Sequence, residues 1–235
     1  LALAAAVPTY PVQSETSQRM KPVAIIFDFG GVFTESPVSC FARYEKQHGI
    51  PERFISEVIK SDINGGSFAR FERAELDLDQ FDAEFARETR AAGHEVDGRT
   101  LVSLLQLNFR PDMIDALDQI NAAGFKTGCI TNNMPKSTAT EWARSDEDKA
   151  LARSVMSKFL HVIESSVAGV RKPEPRIYEM MCEALQVTPE QSVFVDDLGI
   201  NLKPARALGM RTVKVPFDNY RTAIDELAEL TGLTL

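Results

Sequence analysis

The sequence predicts an α/β fold: a doubly wound, Rossmann-like parallel sheet with a helical cap inserted after its first strand. Three observations carry this. Apolar, partly β-branched runs alternate with helical patterns from residue 110 onward, as in βαβ units. Between residues 37 and 109 the apolar spacing is helical, with no good strand. And each candidate polar cluster, Asp28, Thr131 and Asp196/Asp197, follows an apolar run, at the carboxyl strand ends where such sheets bind ligands. The chain thus divides into a leader (1–19), a core (20–36 and 110–235) and a cap (37–109).

The leader, "LALAAAVPTYPVQSETSQRM", has an Ala-rich patch but no basic start, and it is too short for a secretory core. It then turns polar and is expected outside the fold, with Met20 a candidate native start. Val23 to Phe27 is continuously apolar, as expected of a strand buried on both faces. In the cap, Phe54, Val58 and Ile59, then Phe81 and Phe85, recur at helical spacing, and "NGGS" at Asn64–Ser67 punctuates the segment. Pro111 opens a helix carrying Ile114, Leu117 and Ile120, and Gly124 stops it. "KTGCIT" reads as a strand ending at Thr131, and "FLHVIES" as one ending near Glu164. "KPEPRIYEMMCEALQV" reads as a helix with Ile177, Tyr178, Met181 and Leu185 inward. "SVFVDD" is a buried strand ending in two acids, "NLKPARALGM" a helix capped by Gly209, and "RTVKV" a strand. An amphipathic helix follows from Tyr220 to Leu230.

The bulk numbers narrow the function. With 34 acidic against 26 basic residues, the net charge of −8 argues against nucleic-acid and anionic-membrane partners. It leaves a phosphate ligand open, since a few local donors override the global field. Cys40, Cys129 and Cys182 form no CxxC pair, so a reduced, cytoplasmic setting is expected. No apolar run is long enough to span a bilayer. Nothing in the chain speaks to its oligomeric state.

Four clusters carry the chemistry. Asp28 ends the first strand within "IIFDFGGVFTES", and the following glycines suit a phosphate-cradling loop. Taken alone, such an Asp is an ordinary turn former. Thr131, Asn132 and Asn133 put a hydroxyl and two amides after a strand, as phosphate donors or as a helix N-cap. Lys172 lies in "RKPEP"; such a lysine is ordinarily a solvated surface residue, but prolines on both sides of Glu174 restrict the backbone and would fix its approach. Asp196 and Asp197 repel each other at the end of an apolar strand, a cost that a hard cation such as Mg2+ relieves; a doubled helix cap is the less attractive alternative. Together these are the parts of phosphoryl transfer, where positioning and charge neutralisation do most of the work.

With these residues in place, the chain resembles the haloacid dehalogenase (HAD) superfamily in its phosphatase branch. "IESSVAGVRKPEPRIY", "SVFVDDLGINLKPARALGMRTVKV" and "NGGSFARFERAEL" are most similar to the N-terminal phosphatase domain of soluble epoxide hydrolases and its stand-alone relatives. The resemblance covers nearly everything after Met20 and implies a magnesium-dependent phosphatase of small phosphorylated metabolites. It makes Asp28 the nucleophile, forming an aspartyl-phosphate, and a magnesium ligand. It gives Thr131 and Asn132 to the phosphate, Lys172 to nucleophile and phosphate together, Asp197 to the metal directly and Asp196 to its support. Position 30 normally supplies a backbone carbonyl to the metal and a side-chain general acid. Here it is Gly30, so the carbonyl stays and the acid is gone. General acid–base catalysis is typically worth ~10²–10⁴-fold, so poor leaving groups should suffer most. Thr34, Glu35 and the cap carboxylates Glu72 and Glu75 are the candidate substitutes, and Arg70, Phe71 and Arg73 are candidate cap contacts to substrate.

Two other functions compete. A module that binds a phosphorylated ligand or partner without turnover is motivated by Gly30. A 2-haloacid dehalogenase also uses a nucleophilic Asp without a second one, but family dehalogenases lack the metal-binding acids that Asp196 and Asp197 supply here.

Overall fold

A computed structural model describes residues 21–105, 107–135 and 146–235. The expectations for residues 1–19 and Met20 lie outside the described residues. Five strands form one parallel sheet: β1 (Ala24–Phe27), β2 (Lys126–Thr131), β3 (His161–Glu164), β4 (Ser192–Asp196) and β5 (Arg211–Lys214). Their order is β3-β2-β1-β4-β5, so the order reverses beside β1. That reversal leaves a crevice at the carboxyl ends of the central strands.

Helices α1 (Pro37–His48), α2 (Phe54–Ser61), α3 (Ser67–Glu72), α4 (Leu78–Ala91) and α5 (Gly98–Leu104) come between β1 and the rest of the sheet. After them come α6 (Pro111–Ala122), α7 (Asp146–Met156), α8 (Ser165–Ala168), α9 (Pro175–Leu185), α10 (Gly199–Ala207) and α11 (Arg221–Thr231). The continuous apolar reading of β1 has a simple cause, since both its faces are covered. Ile25 and Phe27 pack with Leu117 and Ile120 of α6 and Leu227 of α11. Ala24 and Ile26 face the other way, with Ile177 and Met181 of α9 and Leu202 of α10. Burying a side chain such as Phe27 is worth about 1.5–3 kcal/mol over leaving it exposed. Gly128 in β2 is there for room: a Cβ would run into the Met181 sulfur, so α9 seats directly on the strand.

Helices α1–α5 gather a third apolar cluster around Phe41, Ile55, Phe71, Phe81, Phe85 and Leu101. Phe71 stacks on Phe81 with ring centroids 4.3 Å apart. The start of α4 is fixed by a capping box between Asp77 and Gln80. The two connections to the sheet run side by side: Thr34 bridges Phe109, Glu35 N–H donates to Asn108 O (2.8 Å), and Arg110 N–H donates to Phe33 O (2.8 Å). One expectation needs correcting. The helix read from Lys172 begins only at Pro175. Lys172 and Glu174 each precede a proline, which disfavours helical backbone there, and Glu174 is extended at φ −63°, ψ 128°.

Candidate active site

Strand register assembles the site. Phe27 is level with Cys129 of β2 and Val195 of β4, so Asp28 comes level with Ile130 and Asp196 one residue on. Thr131 and Asp197 lie one step beyond. The apolar runs therefore deliver these groups to one sheet end because they stop in register.

Lys172 is the pivot. It is 1% exposed, and its Nζ lies 2.6 Å from Asp28 Oδ1 and 2.9 Å from Asp196 Oδ2. Burial works against its ammonium, but Asp196 and Asp28 outweigh that and hold its pKa above the ordinary lysine value. Asn132 fixes the backbone beneath it: its amide accepts from Lys172 N–H and donates to Lys172 O, both at 2.9 Å. Asp28 Oδ1 also accepts from Phe29 N–H at 2.6 Å, and Oδ2 has no partner among the described residues. Burial pushes the Asp28 carboxyl well up; Lys172 opposes this, and Asp196 and Asp197 add to it.

Asp196 is fully buried, with both oxygens engaged by Lys172, Asn201 and Leu198 N–H. Asp197 receives the Ser36 hydroxyl at 2.6 Å, and burial followed by Asp196 pushes its carboxyl up to about 7. Gly31 lets this happen: at φ +76°, a Cβ there would collide with the Asp197 carboxylate. Gly30 differs, since a Cβ there would meet only Pro37 atoms at 4.0 Å, an ordinary contact. Arg110 braces the loop from behind, donating to Gly31 O at 2.6 Å and packing over the Tyr220 ring at 4.5 Å.

Carboxylate oxygens of Asp28, Asp196 and Asp197 lie within 4.8 Å of one another. Three buried acids around one lysine, two of them with raised pKa, fit a hard divalent cation, which prefers such oxygens. Beyond the sheet end opens a cleft of about 240 Å³, bounded on its far side by α2, α3 and the segment leading to Leu107. Thr131 faces it, with no hydrogen-bond partner for its hydroxyl among the described residues.

Asn133 departs from expectation. It does not line the cleft; its amide donates to Glu164 (3.0 Å) and accepts from Ser166 N–H (3.1 Å). Its side chain therefore ties the end of β3 to α8 and is turned away from a phosphate. Nor do Arg70, Phe71 and Arg73 reach the cleft, because Arg70 pairs with Glu84, Arg73 with Glu75, and Phe71 is core. Of the proposed substitute acids, Thr34, Glu35 and Glu72 line the cleft and Glu75 does not. Glu35 is clasped by Arg43 and Asn108, and the Arg43 hydrogen bond holds its carboxyl below the usual range. Glu72 is buried against Arg171, with both Arg171 Nε and Nη2 at 2.6 Å from its Oε2. Burial raises its carboxyl and Arg171 opposes this. Sequence reading missed Ser36, Arg110, Arg171 and Asn201. Only Ser36 carried a signal, as a helix N-cap before Pro37.

A family model described as haloacid dehalogenase-like hydrolase matches residues 23–232. The chain belongs to this family. Three curated relatives show its range. The chain is 34% identical to acyl-CoA dehydrogenase family member 10 of Mus musculus over 90% of this chain and 19% of that protein. It is 30% identical to bifunctional epoxide hydrolase 2 of Sus scrofa over 90% of this chain and 39% of the relative. It is 29% identical to phosphatase MT3486 of Mycobacterium tuberculosis over 82% of this chain and 86% of the relative. The chain thus spans well under half of the two mammalian relatives. This HAD-like hydrolase has its sheet, its acid cluster and its lysine in one crevice. Among its described residues, no helix is long and apolar enough to cross a membrane.

Proposed function

We propose that this hydrolase is a magnesium-dependent phosphatase of small phosphorylated metabolites, working through an aspartyl-phosphate on Asp28. The observation that carries the reading is the state of Asp28: one oxygen is held by Lys172 and Phe29 N–H, and the other has no partner among the described residues and lies beside two more buried acids. Asp28, Asp197 and the Gly30 carbonyl would hold the metal, with Asp196 in support. When bound there, magnesium neutralises phosphate and carboxylate charge together.

Asp28 Oδ2 forms a bond to phosphorus while the bond from phosphorus to the leaving oxygen breaks, and that oxygen takes the electron pair. Lys172 favours the ionised form of Asp28 and orients it, Asn132 holds the Lys172 backbone, and the Thr131 hydroxyl donates to a phosphate oxygen. Water then attacks phosphorus, and inorganic phosphate leaves with Asp28 restored. Helices α1–α5 serve as a cap over the reacting atoms. A cytoplasmic location is part of this reading, on the cysteine usage of the sequence.

Gly30 favours one second reading, a binding module without turnover. Magnesium-dependent release of p-nitrophenol from p-nitrophenyl phosphate, abolished in Asp28→Asn, supports the phosphatase. Calorimetric phosphate binding with no turnover across a metabolite panel supports the module. Chloride release from 2-chloropropionate would overturn both.

A further inference from the structure

We infer that the cleft selects a phosphate ester of an uncharged, largely apolar group on a weakly basic oxygen, an aryl phosphate, with Ser56 as the contact for a polar ring substituent on the helical side. The chemistry rests on the phosphatase reading; the selectivity rests on the cleft walls alone.

Charge comes first. Among the described residues facing the interior, Lys172 is committed to Asp28 and Asp196, Arg171 to Glu72, and Glu35 to Arg43. The remaining cation, Lys60, stands at the rim with 47% of its side chain exposed, paired with Glu57. The interior therefore has no cation to spare for a carboxylate or a second phosphate, and an unpaired charge there is costly. The walls are apolar: Phe41, Ile59, Phe68, Leu105 and Met134 line them. The volume of about 240 Å³ lies below the ~300–1,000 Å³ usual for ligand pockets, which suits a one-ring group over a long chain.

Ser56 is the exception in that wall. It is 8% exposed, lines the cleft from α2, and its hydroxyl has no partner among the described residues. A hydroxyl that opens to the cleft without a protein partner is available to a polar atom of a ligand. Proton supply completes the case. Gly30 has no side chain, and both oxygens of Glu35 are engaged. Glu72, the acid on the facing wall, is held by Arg171, so the leaving oxygen departs as an anion and takes its proton from solvent afterwards. A phenol, with a pKa of about 10, does this far more readily than an alcohol, which is a much weaker acid.

The test compares phenyl phosphate, cyclohexyl phosphate and 4-carboxyphenyl phosphate with magnesium, together with calorimetric binding of phenylphosphonate and 2-carboxyethylphosphonate. The proposal expects kcat/KM for phenyl phosphate at least ~100-fold above cyclohexyl phosphate, the scale of an absent general acid. It expects the 4-carboxyphenyl ester to be at least tenfold worse than phenyl, and phenylphosphonate to bind at least tenfold tighter than its carboxylated partner. Ser56→Ala should lower kcat/KM for 4-hydroxyphenyl phosphate by roughly tenfold, the upper worth of one hydrogen bond, while leaving phenyl phosphate turnover and vanadate inhibition unchanged. Similar rates for phenyl and cyclohexyl esters would overturn the proposal. So would a Glu72→Gln variant that loses cyclohexyl turnover selectively, since Glu72 would then be the missing acid. If no ester is hydrolysed, the phosphatase reading fails separately, and the two phosphonates still decide selectivity.

Discussion

Two buried ion clusters face one cleft from opposite sides, and they are balanced differently. At the sheet end a single cation, Lys172, stands among Asp28, Asp196 and Asp197. Toward the helices, Arg171 meets Glu72 one to one, and Arg171 Nη1 also donates to Ile63 O at 2.8 Å. The first cluster carries surplus negative charge: there neighbouring acids add to burial in raising Asp28 and Asp197, whereas at Glu72 burial raises the carboxyl and only cations oppose it. The second is complete in itself and joins α3 to the segment that carries Lys172. Burial is nearly the same in both, so it is charge balance that separates a reactive site from a strut.

The largest break should come from Asp28→Asn, which keeps the shape and removes the nucleophile: turnover of p-nitrophenyl phosphate should fall by at least ~10⁴-fold. Lys172→Met and Arg171→Met then set the clusters side by side. Each strands buried carboxylate charge, at a cost of about 3–5 kcal/mol. Magnesium should recover part of the loss in thermal melts of Lys172→Met and none of it in Arg171→Met, because only the first cluster can take the ion. Equal recovery in both would erase the distinction. Asp197→Asn relieves repulsion, so the metal-free protein should gain stability on the order of 2–4 kcal/mol above neutral pH while losing stabilisation by magnesium.

The pH dependence follows from the same acid. Its folded pKa, about 7, lies above its unfolded value, so its contribution to metal-free stability is complete near pH 4 and is lost as pH rises through 7. Magnesium needs the ionised form, so its apparent affinity should drop by up to about tenfold per unit below pH 7, with proton uptake on release. Titration calorimetry in two buffers measures both. The smallest effect belongs to Gly30→Asp, whose Cβ would make only an ordinary contact with Pro37. It should narrow the phenyl-to-cyclohexyl ratio by roughly tenfold or more, through the alkyl ester.

Much of the reactive cluster was legible in the sequence. Asp28, Thr131 and Asp196/Asp197 each follow a run apolar enough to be a buried strand, and parallel register brings strand ends together. Lys172 was legible through its prolines. The strut was not, because Glu72 and Arg171 are 99 positions apart and neither has a local pattern. The same holds for Ser36 against Asp197, 161 apart, and Arg110 against Gly31, 79 apart. Asn133 misled because a loop amide next to a strand end can turn either way, and Glu164 and Ser166 decide which.

The central claim is that Asp28 becomes phosphorylated during turnover. Rapid-quench mass spectrometry of the enzyme turning over phenyl phosphate with magnesium tests it directly. The account predicts one phosphoryl group on the peptide containing Asp28, absent from Asp28→Asn. Sustained hydrolysis with no phosphoryl group on that peptide would contradict it.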